Sequence, residues 1–386
     1  MGFDLSNFAR YGVAPQVRLD VGETTPSPCP LQCALSRAKF RRSIIFKQKT
    51  INIYLRIFMK HILLITTGGT IASAESENGL VPALASEQLL SHVPEVRNIC
   101  RVSTVQLYNL DSTNMRPEYW LEVARYIRKV YDEYDGFVIT HGTDTMAYAS
   151  AMLHYLIQNS RKPIVLTGAQ IPIEKRDTDA RENLTDAFMY AADDSACGVH
   201  IVFGDKIIAA TRARKTRTKS FNAFSSIDFP EIGFIRGSVK YYIRERVEGE
   251  PVFCDEIDSS VIVVKLIPGM SADIFDFIAD RYHAVIIESF GVGGLPYYDN
   301  DEFVEKIEKL IEKGVRIVIT TQVPHEGSDM GVYQVGLRIK QKYELPEAYD
   351  MTTETVVAKV MWALPKSKTA AEFTKLFYTP VGNDII

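Results

Sequence analysis

The stretch HILLITTGGTIAS, residues 61–73, joins a strand to an unusual turn. The apolar run after His61 is typical of a strand that is buried on both faces. The strand then ends in the sequence Thr66-Thr67-Gly68-Gly69-Thr70, whereas a plain turn more often uses Asn, Asp or Pro. Paired glycines allow positive φ and a close approach of the backbone. Because the hydroxyl of Thr70 follows them directly, we interpret the turn as part of a ligand site.

The composition is that of an ordinary globular protein. Of the 386 residues, 46% are hydrophobic and 24% are charged, and the length favours two domains over one. The net charge of −4 gives no reason to expect nucleic acid or an anionic membrane as a partner. No apolar run approaches the roughly 20 residues that span a bilayer.

The cysteines favour a reducing, cytoplasmic location. There are five of them, an odd number, and they are scattered along the chain, so a disulfide framework is not expected. Cys29 and Cys33 have the spacing of half a zinc site, but no second Cys/His pair stands at a suitable spacing. We therefore do not expect a metal site.

Residues 1–58 differ from the rest of the chain in charge and pattern. They hold nine Lys or Arg residues against three acids and show no sustained hydrophobic periodicity. A positive, acid-poor N-terminus is typical of a targeting peptide, but this one lacks a clean apolar core and a small-residue cleavage site. Because Met59 stands immediately before the first strand, we favour an extension that is disordered or not part of the native domain.

From Met59 onward, strand-sized apolar runs alternate with helical periodicities. In the first round, strands are predicted at 62–66, 102–108, 136–140, 163–167 and 199–204, and helices at 86–93, 117–134, 144–159 and 180–193. A second round has strands at 261–266, 284–289 and 315–320, and helices at 271–281, 301–313, 353–363 and 369–377. This alternation predicts an α/β fold with a larger N-terminal, doubly wound, mostly parallel sheet and a smaller C-terminal α/β domain.

The stretch RERVEGEPVFCDEIDSS separates the two rounds. It is polar and carries Gly249 and Pro251, as linkers between domains commonly do. We therefore predict an N-terminal domain at 59–245, a linker at 246–259 and a C-terminal domain at 260–386.

Four strand ends carry small and hydroxylated residues. After the TTGGT turn, the segments concerned are NLDSTNM (109–115), HGTDT (141–145) and VLTGAQIP (165–172). In open α/β sheets, ligands bind beyond the carboxyl ends of the strands. We therefore expect a narrow, polar pocket that suits a small molecule with an amide group and charged ends.

Simpler interpretations of these turns remain open. Thr143 or Asp144 can cap the helix that follows, although a cap needs only one short polar residue. The paired glycines also suit a nucleotide-binding or plain tight turn, but G-x-G-x-x-G is absent.

A threonine hydroxyl acts as a nucleophile only when a base assists it. The basic run TRARKTRTKSF, residues 211–221, follows the fifth strand, and most of its charges are typical of a solvated face. One lysine of the run could turn inward beside Asp144, and a desolvated lysine has a lowered pKa and can accept a proton. Composition alone does not choose between Lys215 and Lys219.

The TGGTI turn, the HGTDTM segment and their order resemble the L-asparaginase family. VITHGTDTMAY, KPIVLTGAQIPI and TRTKSFNAF look closest to its bacterial cytoplasmic type I branch, and the resemblance runs from about Met59 to the C-terminus without covering residues 1–58. It implies two α/β domains and hydrolysis of L-asparagine to L-aspartate and ammonia without metal or organic cofactor. It also implies a homodimer or homotetramer, with residues of the second domain, such as TTQVP at 320–324, near the neighbouring subunit's site.

The resemblance also assigns catalytic residues. It makes Thr70 the nucleophile of an acyl-enzyme mechanism and joins Thr143 and Asp144 to a lysine in an R-x-x-K setting, which Lys215 matches. The family's loop tyrosine, which assists the first threonine, is replaced by Leu80. The base that assists Thr70 is therefore open: a tyrosine from elsewhere, a water, or Lys215 acting through Thr143.

The resemblance places the substrate carboxylate at Ser112, with Asp111 and Thr113 beside it. The complete set of expected substrate-binding residues is Asp111, Ser112, Thr113, Thr143, Asp144 and Ala169.

Two other functions share parts of this pattern. The ammonia-releasing component of a tRNA-dependent amidotransferase has the same threonine motifs but, in the family, carries its own N-terminal domain. A non-catalytic amino-acid sensor would need the pocket, but it would not need Thr70, Asp144 and Lys215 together.

Overall fold

The computed structural model describes residues 59–76, 79–82, 84–296, 302–332, 337, 340, 342–343 and 345–386. The predicted N-terminal extension and the Cys29/Cys33 pair lie outside the described residues. Cys100, Cys197 and Cys254 are free thiols. Within the described ranges, no helix has the length and apolar character needed to cross a bilayer.

The strands of the described residues follow in chain order. They are β1 (His61–Gly68), β2 (Ser73–Ser76), β3 (Gly79–Pro82), β4 (Arg101–Leu110), β5 (Gly136–Thr140), β6 (Ile157–Gln158), β7 (Pro163–Thr167), β8 (Gly198–Phe203), β9 (Lys206–Ala209), β10 (Ala213–Lys215), β11 (Phe224–Ser226), β12 (Gly233–Ile235), β13 (Val239–Tyr241), β14 (Val252–Phe253), β15 (Val261–Lys265), β16 (Ala284–Ser289) and β17 (Arg316–Thr321).

The α-helices are α1 (Ser86–Ser91), α2 (Pro117–Val130), α3 (Met146–Leu156), α4 (Ala180–Ala191), α5 (Ile274–Ala279), α6 (Glu302–Glu312), α7 (Thr353–Ala363) and α8 (Ala370–Tyr378). Pro117 opens α2, where its missing N–H costs no hydrogen bond.

The larger sheet has the strand order β13-β12-β9-β8-β7-β5-β1-β4. Strands β4, β1, β5, β7 and β8 pair in parallel, and β9, β12 and β13 extend the sheet with antiparallel pairs. The predicted strands of the first round all form, within two residues of their predicted bounds. The antiparallel strands were not predicted, because they have only three or four residues each, too few for a periodic pattern.

Helices cover both faces of this sheet. Leu63 and Ile65 of β1 lie in the same core cluster as residues of α2 and α3. Ile62 and Leu64, which point to the opposite face, cluster with residues of α1 and α4. Alternate side chains of one strand are thus buried on opposite sides, which confirms the doubly wound fold.

The smaller sheet contains β15, β16 and β17, all parallel. Val285 and Ile287 of β16 pack with α5 and α6, whereas Ile286 packs with α7 and α8 in the core cluster that also holds α3. Every residue of α7 is buried, so this helix joins the cores of the two domains.

Two further differences from the predictions concern α3 and the linker. Helix α3 begins at Met146, two residues later than predicted. The predicted linker is not free of regular structure, because β14 within it pairs with β6. Two residues are too short a run to give a periodic signal in the sequence.

Candidate active site

The four strand ends identified in the sequence meet at one edge of the larger sheet. β4, β1, β5 and β7 are neighbours and run parallel, so their carboxyl ends share that edge. The backbone N–H of Gly69 donates to Leu110 O at 2.9 Å, and that of His141 donates to Thr167 O at 2.9 Å. The turns are therefore in direct backbone contact.

Gly68 and Gly69 explain the unusual turn. Their φ angles are +103° and +84°, a region in which side chains are strained. A Cβ built on Gly69 would lie 2.4 Å from Gly142 N, and one on Gly68 would lie 2.3 Å from Leu110 O. The close approach inferred from the sequence is thus between turns of this chain, and it brings Thr70 beside the HGTDT turn.

Replacing Gly69 with alanine is expected to destabilise the protein and to lower its activity. Positive φ costs about 1–2 kcal/mol, and the contact with Gly142 adds about 1–3 kcal/mol of overpacking. Gly249→Ala is the matched control, because Gly249 has φ +85° and a Cβ there meets no described atom within 4 Å. Denaturant unfolding gives the free energy of unfolding of both variants. An equal loss of that free energy in the two would show that the Gly69–Gly142 contact is unimportant.

Lys215 joins Thr143 and Asp144 into one hydrogen-bonded unit. Its Nζ donates to Thr143 Oγ1 and to Asp144 Oδ1, both at 2.7 Å. The Lys215 side chain is 16% exposed, whereas that of Asp144 is 60% exposed. Strand β10 places Lys215 opposite Phe224 of β11. Lys215 is therefore the lysine of the basic run that contacts Thr143 and Asp144, whereas Lys219 is exposed.

The interpretation of the basic run as a solvated face is wrong for its first half. Thr211, Arg212 and Ala213 are buried, whereas residues 216–221 are exposed. Arg212 has no exposed surface at all. The sequence hides this division because a short strand of the hairpin, β10, occupies the middle of the charged run.

Gln170 is a further contact of the site that the sequence analysis missed. An ammonium group has no acceptor, so Thr143 accepts from Lys215 and donates its own proton to Gln170 Oε1, at 3.2 Å. The backbone N–H of Gln170 is held by both carboxylate oxygens of Asp179, at 3.0 Å each. The sequence feature that could have indicated Gln170 is its position in TGAQIP, directly after Ala169 at one of the four strand ends.

The Asp111–Thr113 segment forms a compact turn next to the threonines. Asp111 Oδ1 accepts from the backbone N–H and the hydroxyl of Thr113, each at 2.9 Å. Ser112 is buried, and its Oγ would lie 2.5 Å from a Cβ built on Gly142. Serine and threonine hydroxyls beside the HGTDT turn are suitable donors for a carboxylate.

The capping interpretation of the HGTDT turn is wrong. The N-cap of α3 is Thr145, which makes no side-chain cap bond. Its hydroxyl instead donates to Ser112 O at 2.9 Å and ties the two turns together. Thr143 and Asp144 are therefore free of a capping role, and both contact Lys215.

His141 is a buried residue of the same turn. Burial lowers the pKa of its imidazole to about 4, so it is neutral at neutral pH. Nδ1 lies 2.8 Å from Gly142 O, and a neutral ring with a proton on Nδ1 donates to that carbonyl. Nε2 is buried without a partner among the described residues. We assign His141 to holding the turn.

Thr70 follows Gly69 and is half-buried. The hydroxyl has no hydrogen-bond partner among the described residues. Leu80 lies in β3, whose partner β2 follows the Thr70 turn. No described residue lies within hydrogen-bond distance of this hydroxyl to act as its base. The described residues also contain no group of three or more His, Cys, Asp or Glu arranged to hold a metal ion.

The fold and the site together define a two-domain α/β protein whose strand ends present two threonines beside a lysine–aspartate pair. A family model described as "Asparaginase, N-terminal" matches residues 61–248, and one described as "Glutaminase/Asparaginase C-terminal domain" matches residues 260–377. The chain therefore belongs to the asparaginase family of amidohydrolases.

Curated relatives of two kinds match the chain. An L-asparaginase of Thermococcus kodakarensis is 37% identical over 84% of this chain and 98% of its own length. A glutamyl-tRNA(Gln) amidotransferase subunit of Pyrococcus furiosus is 32% identical over 91% of this chain and 82% of its own length. The match to this second relative covers a larger share of the chain than residues 59–386 make up, so it extends into residues 1–58. The expectation that the resemblance begins near Met59 is therefore too narrow for this relative.

Solved structures agree with the predicted family and fold. The thermostable L-asparaginase of T. kodakarensis has a TM-score of 0.79 at 35% identity, covering 84% of this chain and 99% of its own. L-asparaginase I of Vibrio cholerae has a TM-score of 0.76 at 28% identity, covering 85% and 99%. A Campylobacter jejuni protein described as "Probable Cytoplasmic L-asparaginase" has a TM-score of 0.70 at 27% identity, covering 82% and 99%.

Proposed function

We propose that the chain hydrolyses the side-chain amide of L-asparagine to give L-aspartate and ammonia. The observation that carries this proposal is the position of Lys215 Nζ, which lies 2.7 Å from both Thr143 Oγ1 and Asp144 Oδ1. This unit is next to the turn that contains Thr70. The identity of 37% to an L-asparaginase supports it. No metal or organic cofactor enters the proposal.

The proposed mechanism is acyl transfer in two steps. The hydroxyl oxygen of Thr70 attacks the amide carbon, the C–N bond breaks, and ammonia leaves with the proton that the hydroxyl gave up. Water then attacks the aspartyl ester, releases aspartate and returns the proton to Thr70. Backbone N–H groups at the Thr143 turn hold the oxyanion, and losing one such donor costs about 3 kcal/mol.

Lys215 and Thr143 act as a proton relay in this mechanism. In its neutral amine form, Lys215 accepts the hydroxyl proton of Thr143, which that hydroxyl otherwise donates in a hydrogen bond to Gln170 Oε1. Thr143 then takes a proton from the water that attacks the ester in the second step. Asp144 binds the ammonium form of Lys215 and orients it.

The substrate's charged ends are assigned to the neighbouring turns. We assign the α-carboxylate to Ser112, with Thr113 beside it, and the α-ammonium to the carboxylates of Asp111 and Asp144. Ala169 lines the site through its backbone, since its side chain is a buried methyl group.

Ammonia release by the purified chain tests the function. We expect saturable production of ammonia from L-asparagine, in the presence or absence of a metal chelator. Tight binding of L-asparagine in calorimetry without ammonia release would instead establish an amino-acid sensor. Measuring L-glutamine in parallel gives the substrate preference.

A component of a tRNA-dependent amidotransferase is the second candidate function. The 32% identity to the P. furiosus amidotransferase protein, in a match that reaches into residues 1–58, favours it. Under this alternative, free L-asparagine is hydrolysed slowly by the isolated chain, and glutamyl-tRNA with a partner protein raises the rate. Rapid hydrolysis by the chain alone, unaffected by tRNA, would exclude it.

We also propose a cytoplasmic homodimer or homotetramer. Ile267, Val292 and Val323 lie in loops after β15, β16 and β17, and each is exposed. Val323 belongs to TTQVP, the segment expected near the neighbouring subunit's site, and a second copy would cover these side chains. Light scattering should give two or four times the chain mass of 43.5 kDa. A fully active monomer would contradict this assembly.

A further inference from the structure

Arg212 is buried three residues before Lys215. Its side chain has no exposed surface. Nε donates to Asn383 O at 2.5 Å, and Nη1 donates to Asp350 O at 3.0 Å and to Asp350 Oδ2 at 2.8 Å. Both partners come from the last part of the chain, so Arg212 attaches the beginning of β10 to segments about 140 to 170 residues away.

Other contacts hold the backbone beside Arg212. Thr355 Oγ1 of helix α7 donates to Thr211 O at 2.6 Å. Ile227 N donates to Arg212 O at 2.9 Å. The backbone is thus fixed on both sides of Arg212 immediately before the strand that carries Lys215.

Strand β10 is short and depends on such anchors. It has three residues and pairs only with β11 among the described strands. After Lys215, residues 216–221 are exposed. The β11 hairpin holds the Lys215 backbone at and after Lys215, where Thr216 N and Arg217 N donate to Ala223 O. The contacts at Arg212 hold the N-terminal end of β10 and attach this hairpin to the rest of the fold.

A buried guanidinium is a costly way to obtain stability. Desolvation offsets much of the attraction in a buried ion pair, and an apolar side chain of similar volume often serves stability as well. Here one guanidinium nitrogen, Nη2, is buried without a hydrogen-bond partner among the described residues. The planar guanidinium instead adds orientation, because its Nε and Nη1 donors hold Asn383 and Asp350 in fixed directions at the same time.

We infer that Arg212 is a positioning residue for catalysis: it fixes β10 against the second domain and the C-terminal segment, so that Lys215 Nζ reaches Thr143 and Asp144 together. This inference rests on the proposed function. Nothing in it requires Arg212 to touch the substrate, so its loss should affect kcat and leave KM unchanged.

Lys359 offers a matched control. It is also fully buried, and its Nζ binds the same C-terminal segment through Asp384 Oδ2, at 2.6 Å, and Thr379 O, at 3.1 Å. Lys359 lies on α7 and not on the strand of Lys215. Removing either cation weakens the attachment of the C-terminal segment, but only Arg212 immediately precedes the strand that contains Lys215.

The experiment compares Arg212→Met and Lys359→Met in the full chain, with kcat, KM and the melting temperature measured for each. Both variants should melt at lower temperature than the wild type. Arg212→Met should lose about 100-fold in kcat, the effect of a displacement of about 1 Å at a catalytic group, with KM unchanged. Lys359→Met should keep its kcat within about two-fold.

Asp350→Asn keeps the inference testable if Arg212→Met fails to fold. It retains the size and an acceptor of Asp350 but removes the charge that Nη1 binds, and it should lower kcat without changing KM. The inference is overturned if the Arg212 and Lys359 variants have equal kcat values, or if Asp350→Asn has the kcat of the wild type. Either result would leave the proposed function intact. A wild-type chain that releases no ammonia would remove the proposed function and this inference together.

Discussion

Replacing Thr70 with alanine is expected to abolish ammonia release from L-asparagine while the protein still folds. The change removes the hydroxyl that forms the ester, and loss of a nucleophile typically costs at least about 10⁴-fold in kcat. Stability should change little, because that hydroxyl has no hydrogen-bond partner among the described residues. Steady-state kinetics and a thermal melt measure the two effects.

Thr70→Ser is the matched control for this variant. It keeps the hydroxyl and removes only a methyl group, so it should retain measurable turnover. If Thr70→Ala keeps most of its activity, the nucleophile is assigned wrongly, and Thr143 takes its place as the candidate.

Lys215→Met is expected to lower kcat by about 10³-fold, within the range that a general base contributes. The substitution removes the only amine within hydrogen-bond distance of Thr143 among the described residues and leaves Asp144 unpaired but exposed to water. Lys219→Met, in the same basic run, should have no effect because Lys219 is exposed. A silent Lys215→Met together with an inactive Lys219→Met would show that the wrong lysine was chosen.

Buried parallel strands were the part of the fold that the sequence predicted best. Residues 136–140 and 163–167, for example, form β5 and β7 with the predicted bounds, because strands covered on both faces are continuous apolar runs. The antiparallel strands β9, β12 and β13 were missed. Their short length leaves no periodicity, and their pairing depends on distant neighbours.

The candidate site was predictable where a strand end marked it. Thr70, Ser112 and Thr143 follow strands of one sheet, and parallel order brings their turns to one edge. Lys215 was chosen from a family resemblance, since its own segment shows only a run of charges. Arg212 was not found, because its partners lie near the C-terminus and only the folded chain brings them together.

The central claim is that Thr70 forms an aspartyl ester, and peptide mass tests it most directly. Wild-type protein and Thr143→Val are mixed with L-asparagine, quenched in acid and digested. Because Thr143 is proposed to activate the hydrolytic water, the variant should accumulate the ester. The account predicts the mass of an aspartyl group on the peptide that contains Thr70. An adduct on the Thr143 peptide of the wild type, or no adduct in a chain that turns over, would contradict it.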